Sequence, residues 1–150
     1  MNSINTLYIE EFPVLLKEMT TPPRYINIRG EMPSANHVFL TVVGSRRYSA
    51  YGKEVTETLI RSLRGLPVVI VSGLAFGIDA IAHRTALDCG LKTIAVPGSG
   101  LNDDVLYPRE NKALAEEIVR RGGALVSHFD NNVAAAPWTF PLRNRIMAGL

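Results

Sequence analysis

The sequence predicts an α/β protein of Rossmann-like form, a mostly parallel sheet with helices on both faces in a single domain. Strand-like runs begin near Phe39, Val68, Thr93 and Ala124, each followed by helix-compatible sequence, and their spacing of about 25 to 30 residues suits βαβ units. Three of these runs break from β-branched residues into glycine: Val42-Val43-Gly44-Ser45-Arg46-Arg47, Val71-Ser72-Gly73-Leu74-Ala75-Phe76-Gly77-Ile78-Asp79-Ala80 and Ile94-Ala95-Val96-Pro97-Gly98-Ser99-Gly100. At 150 residues and 47% hydrophobic, the chain suits one domain, which buries roughly 70% of the surface its unfolded form exposes.

Taken in order, residues 1–36 read as a lead-in and 37–150 as the core. Residues 9–18 predict a short helix, which Thr21-Pro22-Pro23 ends before an extended segment running through Ile28-Arg29-Gly30. In the core, helices are expected over 51–63, 77–89, 109–120 and 142–149. The last of these, about eight residues long, is marginal alone, so 140–150 is expected to be poorly ordered or held by a neighbouring chain.

Composition excludes some classes. The formal charge of +2 is too small to announce nucleic acid by itself. Placement says more, because Arg46 and Arg47 sit in the first strand-to-helix loop, Arg143 and Arg145 in the last motif, and such loops converge at the carboxyl edge of an open sheet. The single cysteine, Cys89, precludes an internal disulfide and reads as a small core hydrophobe. With no signal peptide and no apolar run near the ~20 residues of a membrane span, it points to a reducing cytoplasm and no membrane partner.

The glycine loops carry the binding chemistry. Gly73 and Gly77 allow close backbone approach, and the amides at the start of the following helix favour an anion, most naturally a phosphate. Ser72 lies in the same cradle. In the 44–47 loop, the amides of Gly44 and Ser45 and the planar forks of Arg46 and Arg47 can surround two phosphate oxygens at once; the plainer reading makes Ser45 a cap and one arginine a surface ion partner. Gly98 and Ser99 form a third candidate loop, with Asp103 and Asp104 as solvated carboxylates. Asp79 and His83 stand four apart on one helix face, open to a structural role, an acid/base pair or half a metal site; no third ligand has useful spacing, so no metal or cofactor is expected. In Pro137-Trp138-Thr139-Phe140-Pro141-Leu142-Arg143-Asn144-Arg145, aromatics, arginines and an amide together suit unpaired bases and phosphates. Arg143 and Arg145 point about 200° apart on a helix, so one is expected to contact a ligand and the other to hold the loop.

Several ordered motifs together resemble the DprA/Smf family of DNA-processing proteins: Val43-Gly44-Ser45-Arg46, Tyr51-Gly52, Ser72-Gly73-Leu74-Ala75-Phe76-Gly77-Ile78-Asp79-Ala80, Ala82-His83, Thr93-Ile94-Ala95-Val96, Tyr107-Pro108, Glu110-Asn111 and Phe140-Pro141-Leu142-Arg143-Asn144-Arg145-Ile146. The resemblance implies single-stranded DNA at the 44–47 loop, protection of incoming strands in natural transformation, loading of the RecA recombinase, pairing of two copies through their cores, and no catalysis. It also implies a core shortened at its carboxyl end, a truncated gene product or a minimal relative, because family members continue with further strands, and it lacks the helical domain that often precedes. Ser127-His128-Phe129 departs from the family's Ser-Glu-Phe, and no function is assigned to His128. Two other readings share the cradle: a small-nucleotide sensor, and an enzyme similar to the cytokinin-activating phosphoribohydrolases, whose Pro-Gly-Gly-x-Gly-Thr loop Pro97-Gly98-Ser99-Gly100-Leu101 does not reproduce.

Overall fold

A computed structural model describes residues 3–150. Six strands form one sheet: β1 (Ile4–Tyr8), β2 (Tyr25–Gly30), β3 (Val38–Thr41), β4 (Val68–Ser72), β5 (Lys92–Ala95) and β6 (Ala124–Ser127), in the order β1-β2-β6-β5-β4-β3. The four expected core strands are parallel neighbours, β3 to β4, β4 to β5 and β5 to β6. β2 pairs antiparallel with β6, and β1 antiparallel with β2, so the lead-in extends the sheet at one end.

Helices cover both faces, as the apolar runs require. On one side α2 (Ala50–Ser62), α3 (Ile78–Asp88) and α4 (Lys112–Arg120) pack on Ile70, Ala95 and Leu125; on the other, α1 (Val14–Lys17) and α5 (Thr139–Gly149) close over Val69, Val71, Ile94, Val96 and Val126. The alternation of Val69, Ile70 and Val71 between these clusters is the two-residue period of a strand buried on both sides. Among the described residues no helix is long and apolar enough to cross a membrane.

Two expectations need correction. The helix expected over 9–18 is a 3-10 turn, Ile9–Glu11, followed by α1, because Phe12 precedes Pro13 and takes an extended conformation (φ −65°, ψ 152°). The 140–150 segment is not loose: it forms α5, with Ile146, Met147 and Leu150 buried against Phe12, Leu16 and the sheet. The short α1 supplies the packing partner that local sequence does not reveal. At its start, the Thr139 hydroxyl donates to the Gly98 carbonyl at 2.7 Å, and Pro141 falls in the first turn, where no amide donor is needed.

Candidate nucleic-acid interface

The carboxyl ends of β3, β4 and β5 open into loops that meet α5, the place where an open α/β sheet holds ligands. A cleft of about 570 Å³ lies there, lined by Thr41, Val43, Gly44, Arg46, Ala75, Asp79, Arg143, Asn144, Met147 and Ala148. A narrower crevice continues from it between Arg46, Gly73, Phe76, Gly98, Tyr107 and Phe140.

Two buried side chains build the cleft floor. Asp79, in the first turn of α3, accepts the Gly73 amide at 3.0 Å and the Gly44 amide at 3.4 Å, fastening two glycine loops to one carboxylate. Arg143, from α5, donates through Nη1 to the Gly73 carbonyl at 2.7 Å and the Val96 carbonyl at 2.8 Å, while Nε donates to Asn144 Oδ1 at 3.0 Å. A third tie comes from the Tyr107-Pro108-Arg109-Glu110-Asn111 stretch: Asn111 Nδ2 donates to the carbonyl of Leu74, a residue with φ 60°. This positive φ is sparsely populated for a side chain of that size and survives because its surroundings fix it.

The expected site residues separate into three groups. Gly44, Arg46, Gly73, Gly98, Phe140, Arg143 and Asn144 come together around the cleft and its crevice. Arg46 is exposed, and its guanidinium lies over the Phe140 ring, 5.1 Å from the centroid; Arg143 approaches the same ring at 5.6 Å. The ring's other neighbours are Tyr107, edge-on at 5.9 Å, and Gly98, where an added Cβ would stand 2.7 Å from ring carbons. Phe140 therefore positions Arg46, and its faces are largely taken.

Ser45, Arg47, Ser72, Gly77 and Ser99 do not line the cleft or its crevice. The Ser45 hydroxyl accepts the Arg47 amide at 3.1 Å and donates to the Arg47 carbonyl at 2.8 Å, so the two residues form one turn. The Ser72 and Ser99 side chains are buried, both 0% exposed; Ser99 Oγ donates to the Gly100 carbonyl and accepts the Tyr107 amide. Gly77 (φ 80°) seats the Ser45 and Arg46 carbonyls against its Cα. Arg145 stands apart: it is exposed on another side of α5, where Nη2 donates to Thr21. Of the arginine pair, Arg143 holds the loops and Arg145 faces solvent.

Burial pushes the Asp79 carboxyl above its ordinary pKa, while Arg143 and the amides of Gly44, Gly73 and Ala75 favour the charged form. Burial lowers the Arg143 pKa, Asp79 opposes this, and the nearby charge of Arg46 adds to it. Two guanidinium groups against one carboxylate leave the cleft positive. His83 does not join Asp79: it is fully buried, and its Nδ1 pairs with Thr93 Oγ1 at 2.7 Å. The sequence missed Thr41, Ala75, Tyr107, Met147 and Ala148 as lining residues, since they reach the cleft only once β3, α5 and the 107–111 stretch meet in the fold.

Fold and cleft define an open α/β protein with a glycine-edged, arginine-flanked cleft at the carboxyl edge of its sheet. The model of the DNA recombination-mediator protein A family matches residues 3–150, and the chain belongs to that family. Protein Smf of Escherichia coli K12 is 40% identical over 141 residues, which is 94% of this chain and 37% of that protein. The solved structure of DNA processing protein A from Streptococcus pneumoniae superposes with a TM-score of 0.88 at 37% identity, covering 97% of this chain and 51% of that one. DNA processing protein A from Helicobacter pylori, solved for its single-stranded DNA binding mode, gives a TM-score of 0.82 at 30% identity over 97% of this chain and 65% of the other. The chain spans half or less of the length of the curated relatives from Escherichia coli, at 37%, and Bacillus subtilis, at 50%.

Proposed function

We propose that this chain binds single-stranded DNA in the cleft between the 44–47 loop, the 73–77 loop and α5, in the cytoplasm, and performs no chemistry on the strand. The observation that carries this reading is Arg46, exposed at a glycine-edged cleft, held over Phe140, and among the described residues in no ion pair. A backbone phosphate fits between its guanidinium and the Gly44 loop. The Helicobacter pylori relative, with its single-stranded DNA binding mode, supports the choice of ligand. A carrier role is favoured by the titratable groups: the Asp79 carboxylate is spent on backbone amides, and His83 is sealed in the core. The family's description as a DNA recombination mediator favours a recombinase of the RecA kind as partner; pairing with a second copy of the chain and a role in natural transformation complete the reading and rest on the family resemblance alone.

Anisotropy of a labelled oligothymidylate tests the reading. Binding should weaken with salt, and Arg46→Ala should cost about ten-fold or more in affinity, since a hydrogen bond to a charged group contributes about 1.5 to 3 kcal/mol. Arg64→Ala, beyond the far end of α2, serves as control and should change little. Tight binding of a nucleoside monophosphate with no response to the oligonucleotide would replace this reading with the nucleotide sensor.

A further inference from the structure

A second cleft flanks α5 on the side away from Arg46. Thr21, Arg24, His128, Leu142, Arg145 and Ile146 line it, with a volume of about 320 Å³. Helix α5 divides the two clefts through its own periodicity: Arg143, Asn144 and Met147 face the first, whereas Leu142, Arg145 and Ile146 face the second.

The chemistry of the second cleft is also that of an anion and base receptor. Arg24 and Arg145 are exposed, and among the described residues no carboxylate lines the cleft or lies within ion-pair distance of either. Arg145 is already aimed, because the Thr21 hydroxyl and carbonyl receive its Nη2. One turn before Leu142 stands Trp138, 57% exposed, its ring edge-on to Phe129 at 5.7 Å; Phe129 in turn meets His128 at 4.0 Å. The indole is thus braced from one side with the rest open to solvent. Phe140 lacks that freedom, packed as it is against Gly98, Tyr107 and two guanidinium groups. A strand held at Arg46 has only the width of a helix, roughly 10 to 12 Å, to cross before it reaches this surface.

We propose that the Arg24, Arg145 and Trp138 surface is a second subsite for single-stranded DNA, the two arginines taking backbone phosphate and the indole stacking on a base. The strand leaves the Arg46 cleft, passes over the amino-terminal end of α5, and continues along this face. The inference rests on the single-stranded DNA reading above. Trp138 is the chain's one tryptophan, so its emission reports this subsite without any label on the protein.

Labelled oligothymidylates of about 4 and about 12 nucleotides, lengths within the range single-strand sites span, are titrated while anisotropy and Trp138 emission are read together. The longer strand should bind more tightly and quench Trp138, and the shorter should bind with little quenching. Arg24→Ala combined with Arg145→Ala should lower affinity for the longer strand by about five-fold and the log-log salt slope by about 0.7 for each phosphate contact released. Arg24→Ala alone lies off α5 and repeats the test where loss of the Arg145 bond to Thr21 disturbs the fold. Binding that depends on Arg46 but leaves Trp138 emission unchanged and is indifferent to Arg24 and Arg145 would overturn the second subsite and leave the first intact. No binding of either length would overturn both.

Discussion

Arg143 shows how a residue type announces a ligand and then serves the scaffold. Its sequence neighbourhood, two arginines and two aromatics in nine positions, has the composition of a strand-binding surface, and nothing local distinguishes it from Arg145. The distinction is tertiary: 200° around the helix, one guanidinium meets the open carbonyls of Gly73 and Val96 and the other meets Thr21 at the surface. Arg143 is 5% exposed and Asp79 4% exposed, so removing the cation takes a favourable charge away from a buried carboxylate and leaves the Gly73 and Val96 carbonyls without their guanidinium donor. Arg143→Ala should therefore destabilise the fold by about 3 kcal/mol or more, since each buried acceptor left unpaired costs about 1 to 3 kcal/mol. A thermal melt reads this as a fall of roughly 6 °C or more for a chain of this size. A melting temperature within a degree of wild type would show that Arg143 is a ligand contact and not a brace.

At the scale of elements, the glycine turns were legible and their division of labour was not. Gly44, Gly73 and Gly98 announce strand ends because β-branched runs stop at them, a local signal. That Gly77 belongs to the 44–47 loop as much as to α3 is invisible in sequence, since the two loops meet only once β3 and β4 pair in register. Gly65 offers a comparison in φ for this contact, while Gly77 also holds ψ −128°. Gly77 and Gly65 have φ of 80° and 81°, yet a Cβ at Gly65 meets nothing within 4 Å, whereas one at Gly77 would enter the Ser45 and Arg46 carbonyls. Gly65→Ala should cost only the backbone penalty, about 1 to 2 kcal/mol. Gly77→Ala should cost distinctly more in chemical denaturation and should also weaken oligothymidylate binding, because the Arg46 loop has to move. Equal losses at the two positions would mean that the loop contact contributes nothing.

For the whole molecule, what could be read was what is buried on both faces. The runs of β4, β5 and β6 are continuous in hydrophobicity because helices cover them front and back. β1 escaped notice since only Ile4 and Leu7 of its five residues are even partly buried, and the bed for α5 escaped because Leu16 and Met147 are brought together only by the finished sheet. The same sealed core dictates how stability answers to acid. The Thr93 hydroxyl gives its one proton to the Ile70 carbonyl at 2.7 Å, so it must accept from His83 Nδ1, which fixes the neutral tautomer. Burial, and then the charge of Arg84, lowers the His83 pKa to about 3 against the Ser72 backbone, which favours the proton. His128 follows to about 4 through burial and Arg145. Both folded-state values lie below the ordinary 6.5, so between about pH 6.5 and pH 4 the unfolded chain takes up protons that the native chain refuses, and stability falls as pH falls. Asp79, raised by burial, acts in the opposite sense, because acid favours its native form. Each histidine contributes at most about 1.4 kcal/mol per pH unit, which makes His83 worth up to about 2 kcal/mol between pH 6.5 and pH 5. Urea unfolding at pH 7 and pH 5 should show wild type losing stability on acidification, with His83→Gln losing less because one of the two groups is gone while Asp79 is unchanged. Identical pH slopes in the two proteins would mean that His83 titrates alike folded and unfolded, which a side chain sealed between α3 and β5 cannot do.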